Sequence, residues 1–167
     1  GGIDRVMASL KRELEQHARS DVRVRFLASR GSGHVAFSAL HALNFCVRML
    51  AARFRGKVDV VHINLASHGS TYRKLVISRW AEMLGIPYVL HLHGGGYASF
   101  WSGASASLSR RIGTMFRQAS GVVVLGKIWR DFVLGKVREA EQRVIVVPNA
   151  TEIPTLPHIG GGDTVHI

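Results

Sequence analysis

Short apolar runs and helix-period segments alternate along this chain, a pattern that predicts an α/β fold: a parallel sheet with helices on both faces. Val6, Leu10 and Leu14 recur every four residues with Lys11, Arg12, Glu13 and Glu15 between them, so residues 3–18 read as an amphipathic helix. Residues 22–27 read as a strand. From Ala36 to Phe54 a stripe of Phe37, Leu40, Asn44, Val47, Ala51 and Phe54, widened by Leu43, Cys46 and Leu50, predicts a well-buried helix. Residues 58–63 are the next strand. Val76, Ile77, Trp80, Ala81 and Leu84 form the inner side of a helix that Gly85 and Pro87 stop. Residues 88–92 are a strand ending in a histidine and three glycines. A further helix turns Leu108, Ile112, Met115, Phe116 and Ala119 inward and Arg110 and Arg117 outward, and residues 121–125 and 144–147 are the last two strands.

The two ends of the chain depart from this rhythm. Gly1-Gly2-Ile3 stands directly before a helix, with no strand in front of it. A glycine turn opening a helix ordinarily follows the first strand of a doubly wound sheet, where backbone N–H groups and the helix dipole meet a phosphate. Loss of that central strand would leave about ten ladder groups unpaired, each costing about 1–3 kcal/mol if buried. The expectation is therefore a piece of a longer protein, with residues before Gly1. After Pro148-Asn149, the prolines at 154 and 157 and Gly160-Gly161-Gly162 have the composition of an interdomain linker, and Thr164-Val165-His166-Ile167 would begin a strand of another domain.

Length and composition narrow the class. A chain of 167 residues matches one domain with a sizeable core, and no apolar run approaches the roughly 20 residues of a membrane span. The single Cys46 excludes an internal disulfide and, with no secretory leader pattern, predicts a cytoplasmic location. Twenty-two Lys and Arg against eleven Asp and Glu give a formal net charge of +11, enough to attract phosphates, nucleic acid or an anionic membrane surface. Nine histidines do not imply a metal: only 62 with 68 and 91 with 93 are close in sequence, and no cysteine or carboxylate completes a ligand set.

Four motifs occur in one order and at suitable spacing: Gly1-Gly2-Ile3-Asp4-Arg5-Val6, Asp59-Val60-Val61-His62, Leu90-His91-Leu92-His93-Gly94, and Val144-Ile145-Val146-Val147-Pro148-Asn149-Ala150. Together they resemble the N-terminal domain of a family 4 glycosyltransferase with the GT-B fold, over nearly the whole chain. The resemblance implies a Rossmann-like acceptor-side domain over residues 1–150. Residues 151–167 would then lead into an absent donor-binding domain. It also implies retaining, metal-independent transfer of a sugar from a nucleotide-sugar donor to a glycan or lipid-linked acceptor, as in polysaccharide biosynthesis, in a cleft between two domains. Backbone groups of Gly1 and Gly2 would lie near the donor diphosphate, and His93 with Gly94 would face the donor sugar, His93 being the candidate catalytic residue. Asn64, His68, Gly95, Tyr97 and Lys127 are the candidate acceptor contacts. No cofactor or metal is expected, and the piece alone should not turn over. Two positions depart from the family pattern: Ala150 stands where a glycine commonly follows the asparagine, and Gly126-Lys127 stand where a serine often follows the fifth strand.

Each candidate also has a plainer reading. Gly1-Gly2 could be a simple turn before a helix. His93 could hydrogen-bond a neighbouring carbonyl, although its place at a strand's C-terminal edge favours a ligand. His91 points away from its neighbours and reads as structural. His62, His68 and Asn64 suit capping as well as acceptor contact, and His34 lies in the loop after the second strand. Arg53, Arg55, Lys57, Arg73, Lys74, Arg79, Arg110, Arg111 and Arg117 fall near helix ends or on outward faces. They read as a solvated surface or as a patch for anionic lipid, with Phe100-Trp101 as an interfacial anchor or a platform for a sugar ring. His-Gly-Gly-Gly also forms the oxyanion hole of α/β-hydrolases, but no serine here has the glycines of a Gly-x-Ser-x-Gly elbow. A nonenzymatic basic module that binds membrane or nucleic acid is the other alternative. Cations spread over several helices argue against it, and no nucleic acid partner is expected.

Overall fold

The computed structural model describes residues 11–12, 23–27 and 37–148. The expected helix over residues 3–18, the glycines at 1 and 2, His34 and the linker beyond Pro148 lie outside these apart from residues 11–12.

Among the described residues four strands form one parallel sheet in the order β1-β2-β3-β4: β1 is Val61–Leu65, β2 Tyr88–Leu92, β3 Gly121–Val124 and β4 Val144–Val146. Helix α1 (Phe37–Phe54) precedes β1. Between the strands lie α2 (Gly69–Met83), the short α3 (Tyr97–Ser102), α4 (Ala106–Gln118) and α5 (Lys127–Lys136), and a 3-10 segment over Arg138–Arg143 leads into β4. A sheet that grows in one direction through right-handed crossovers receives its connecting helices on one side. Ile77 and Ala81 of α2, Ile112, Met115 and Phe116 of α4 and Val133 of α5 accordingly form one buried cluster with Ile63, Leu65, Leu90, Leu92, Val122 and Val124 of the sheet. Alternation along each strand sends His62, Asn64, Val89, His91, Val123 and Ile145 to the opposite face.

Local chemistry explains where these helices begin and end. Ser105 caps α4, its Oγ accepting from the Leu108 N–H at 3.4 Å. Helix α2 ends at Gly85, whose φ of +64 lets the Gly85 N–H reach Glu82 O and the Ile86 N–H reach Ala81 O. These two bonds satisfy carbonyls that the helix end would otherwise orphan. Tyr88 fixes the sheet to α4 by donating its hydroxyl to Met115 O at 2.7 Å.

The structure corrects three sequence expectations. Of the strand expected over residues 22–27, residues 23–27 are described; they pair with no described strand, and Val24, Phe26 and Leu27 are exposed. The α1 stripe is not well buried. Helix α1 lies against α2 rather than the sheet, so among its described side chains Met49 is the buried one, while Leu40, Leu43, Val47 and Phe54 are 56–84% exposed. Two hydrogen bonds hold it there, Trp80 Nε1 to Cys46 O at 3.0 Å and Arg53 Nε to Leu84 O at 3.0 Å. Finally, α5 and the segment after it occupy residues 127–143, for which hydropathy gave no element; there apolar residues one helical turn apart, Trp129, Phe132 and Val133, pack on the core.

Candidate functional site

In an all-parallel sheet the loops after the strands gather along one rim, and that rim is where ligands of such folds bind. Here it carries Asn64 and His68 at and after the end of β1, His93 and the three glycines after β2, and Lys127 after β3. The backbone of the central loop is unusual. Gly94, Gly95 and Gly96 all have positive φ, +58, +44 and +57, a run that side-chain-bearing residues do not sustain. Gly94 is buried and Gly95 exposed, so the loop presents main chain to the rim.

His93 is tied down at both ends. Its backbone N–H donates to Leu65 O at 3.1 Å, and its Nε2 lies 2.8 Å from Asn64 Oδ1. Below it, the His91 ring stacks at 4.1 Å between centroids, and His91 Nδ1 in turn lies 3.3 Å from His62 Nε2. Burial, followed by the neighbouring His93 and His62, pushes His91 down to about 4. Burial and then His62 lower His93, and burial lowers His62. His93 on the rim, and His91 and His62 on the sheet face beneath it, are therefore neutral imidazoles at neutral pH. An imidazole that donates through Nε2 keeps Nδ1 as an acceptor, which suits a ligand hydroxyl better than a phosphate.

The other candidates take different places. His68, with a φ of +55, lies beside Phe100, ring centroids 4.9 Å apart. Asn64, expected at the acceptor, holds His93. Tyr97, also expected there, is fully buried and packs on Trp101 and Phe116, and burial raises its hydroxyl above the ordinary tyrosine range. It serves the site by anchoring the helix that follows the glycine loop. Lys127 is exposed and paired with Asp131 at 2.7 Å. Trp101 is no anchor or sugar platform: it is 2% exposed, stacks on Phe116 and donates its N–H to Ser109 Oγ. Its neighbour Phe100 is half-buried against His68.

The residue that sequence reasoning missed is Trp129. Its ring lies on Gly94 so closely that a Cβ there would sit 3.0 Å from the indole carbons. The one signal for it was position, two residues past the glycine and lysine that end the β3 loop. The exposed cations Arg53, Arg55, Lys57, Arg79, Arg110, Arg111 and Arg117 are distributed over α1, the loop after it, α2 and α4. Lys74 is partly buried, and desolvation, with Arg73 beside it, lowers it to about 8. Among the described residues no group of three His, Cys, Asp or Glu side chains is arranged to hold a metal ion. No helix among them is long and apolar enough to cross a membrane.

Comparison with curated proteins returns no match. A family model does match, and it spans residues 2–150. With a four-stranded parallel sheet and a glycine-bearing rim consistent with that match, this chain belongs to the glycosyl transferase 4-like domain family.

Proposed function

We propose that this domain forms the acceptor side of a retaining enzyme that moves a sugar from a nucleotide-sugar donor to a glycan or lipid-linked hydroxyl, without a metal. The observation that carries the reading is a neutral, doubly tethered His93 beside a side-chain-free loop on the C-terminal rim, within a family match that spans residues 2–150. His93 and Gly94 face the donor sugar in this reading, Nδ1 of His93 accepting from a sugar hydroxyl while the glycine backbone allows close approach. Gly95, His68 and Lys127 border the acceptor, and Gly1 and Gly2 lie near the diphosphate. In the transfer, the bond from the anomeric carbon to the diphosphate oxygen breaks and a bond to the acceptor oxygen forms. The acceptor proton ends on the departing diphosphate. Catalysis comes from stabilising the charge that develops on the leaving group and from holding the acceptor hydroxyl beside the anomeric carbon.

A panel of nucleotide sugars, assayed with the protein carrying its flanking sequence, tests this. Release of nucleoside diphosphate from one donor, lost in His93→Ala, is the expected result. Release from none overturns the reading.

Exposed Arg53, Arg55 and Lys57 at the end of α1 and just after it also suit anionic headgroups, each near-surface cation contributing about 1 kcal/mol. The enzyme would then sit peripherally on the inner face of the cell membrane. Sedimentation with anionic vesicles but not with neutral ones is the expected outcome, and equal failure with both removes this part of the proposal.

A further inference from the structure

We infer that Asn64 is the positioning residue of the rim: its side-chain carbonyl accepts from His93 Nε2–H and fixes His93 in the tautomer that leaves Nδ1 as the ring's only acceptor. This rests on the reading of His93 as the donor-facing group and extends it to the residue through which His93 is aimed.

Geometry carries the assignment. Asn64 is in register with His91, so His93 lies one pleat further along on the same face of the sheet, within reach of the amide. The contact is 2.8 Å, a good length for N–H···O. The His93 main chain is fixed separately by its bond to Leu65 O, and the His91 ring closes the underside of the imidazole. With backbone, ring edge and ring face all held, little rotational freedom is left, and which nitrogen bears the proton is set by the partner of the other one.

The chemical identity of the partner also matters. An amide oxygen orients an imidazole without stabilising its charged form as a carboxylate would. Burial, and then the nearby His62 imidazole, disfavour a positive charge on His93, and the stacked His91 ring brings no negative charge to offset them. Asn64 therefore supplies direction without charge, which keeps the acceptor lone pair on Nδ1 available at neutral pH.

The test uses the chain labelled with 15N at histidine and long-range proton–nitrogen correlation at pH 7. In the wild type His93 is expected neutral with the proton on Nε2. In Asn64→Ala the two ring-nitrogen shifts should move toward the averaged values of mixed tautomers. In Asn64→Asp both nitrogens should be protonated at pH 7, because a carboxylate raises the histidine. A proton on Nδ1 in the wild type, or a His93 spectrum unchanged in both variants, overturns the inference. Should either variant fail to fold, the wild-type tautomer decides alone.

The transfer assay separates this inference from the one beneath it. If a donor is found, Asn64→Ala should lower kcat about tenfold, as loss of an outer-shell partner commonly does. The activity of Asn64→Asp should return as pH is raised. If no donor is turned over while His93 holds the stated tautomer, the transferase reading falls and the role of Asn64 stands.

Discussion

Histidines 62, 91 and 93 lie within one short row of contacts, and each is held neutral by burial before any charge is considered. A histidine whose folded value lies below the ordinary 6.5 makes the fold acid-sensitive, because the unfolded chain binds a proton that the folded chain refuses. The stability contribution is complete above 6.5 and is lost as pH falls; for His91 the window runs from 6.5 down to about 4. Thermal unfolding followed across that window should show a falling Tm, and a smaller fall in His91→Asn. Parallel curves would remove His91 as a cause. A second residue-scale expectation concerns the loop. Gly94→Ala meets both a left-handed backbone and the Trp129 ring at 3.0 Å, whereas Gly95→Ala meets only the backbone, with nothing within 4 Å. The backbone strain is about 1–2 kcal/mol for each. Urea unfolding should therefore find Gly94→Ala the less stable of the two, and equal values would show that Trp129 yields freely. At this scale the sequence marked His93 and its glycines, because a strand that stops on residues without side chains is a local signal. It did not show that Asn64 meets His93 and missed Trp129, because both meet the loop only through contacts 29 and 35 residues apart in the chain.

Elements whose signal is periodic and capped were legible. The inward residues of α4 are the ones its spacing named, with Ile112 and Phe116 fully buried, and Gly85 ends α2 as its position required. Helix α1 shows the limit of such reading. Its bounds follow from periodicity, but the side that packs is set by α2, and a helix with apolar residues on several sides does not declare which one meets a neighbour. Helix α3 shows the same for an aromatic pair: Phe100 and Trp101 are adjacent, yet one borders His68 and the other fills the core. Truncating the buried ring in Trp101→Ala should cost about 3–5 kcal/mol by chemical denaturation. In a vesicle assay on folded protein the same variant should bind as the wild type does. Loss of binding there would restore Trp101 as a membrane anchor.

Across the whole molecule, the monotonic strand order decides both the layer of connecting helices and the rim on which the glycine loop, Asn64, His68 and Lys127 assemble. The net charge of +11 acts at this scale too. Attraction to an anionic surface is screened over about 8 Å at physiological ionic strength, so vesicle binding should weaken steeply with added salt. Binding that ignores salt would assign it to the exposed apolar residues of α1 instead. What the sequence by itself determined is the four strands of the sheet to within a few residues, helices α1, α2 and α4, the parallel class of the sheet and the histidine–glycine loop, since periodicity, caps and strand ends are written in neighbouring residues. Tertiary structure alone decided which side of α1 is covered, that Tyr97 and Trp101 are core, and that Asn64 meets His93. Those outcomes depend on strand register and on packing between segments distant in the chain, and no local pattern encodes them.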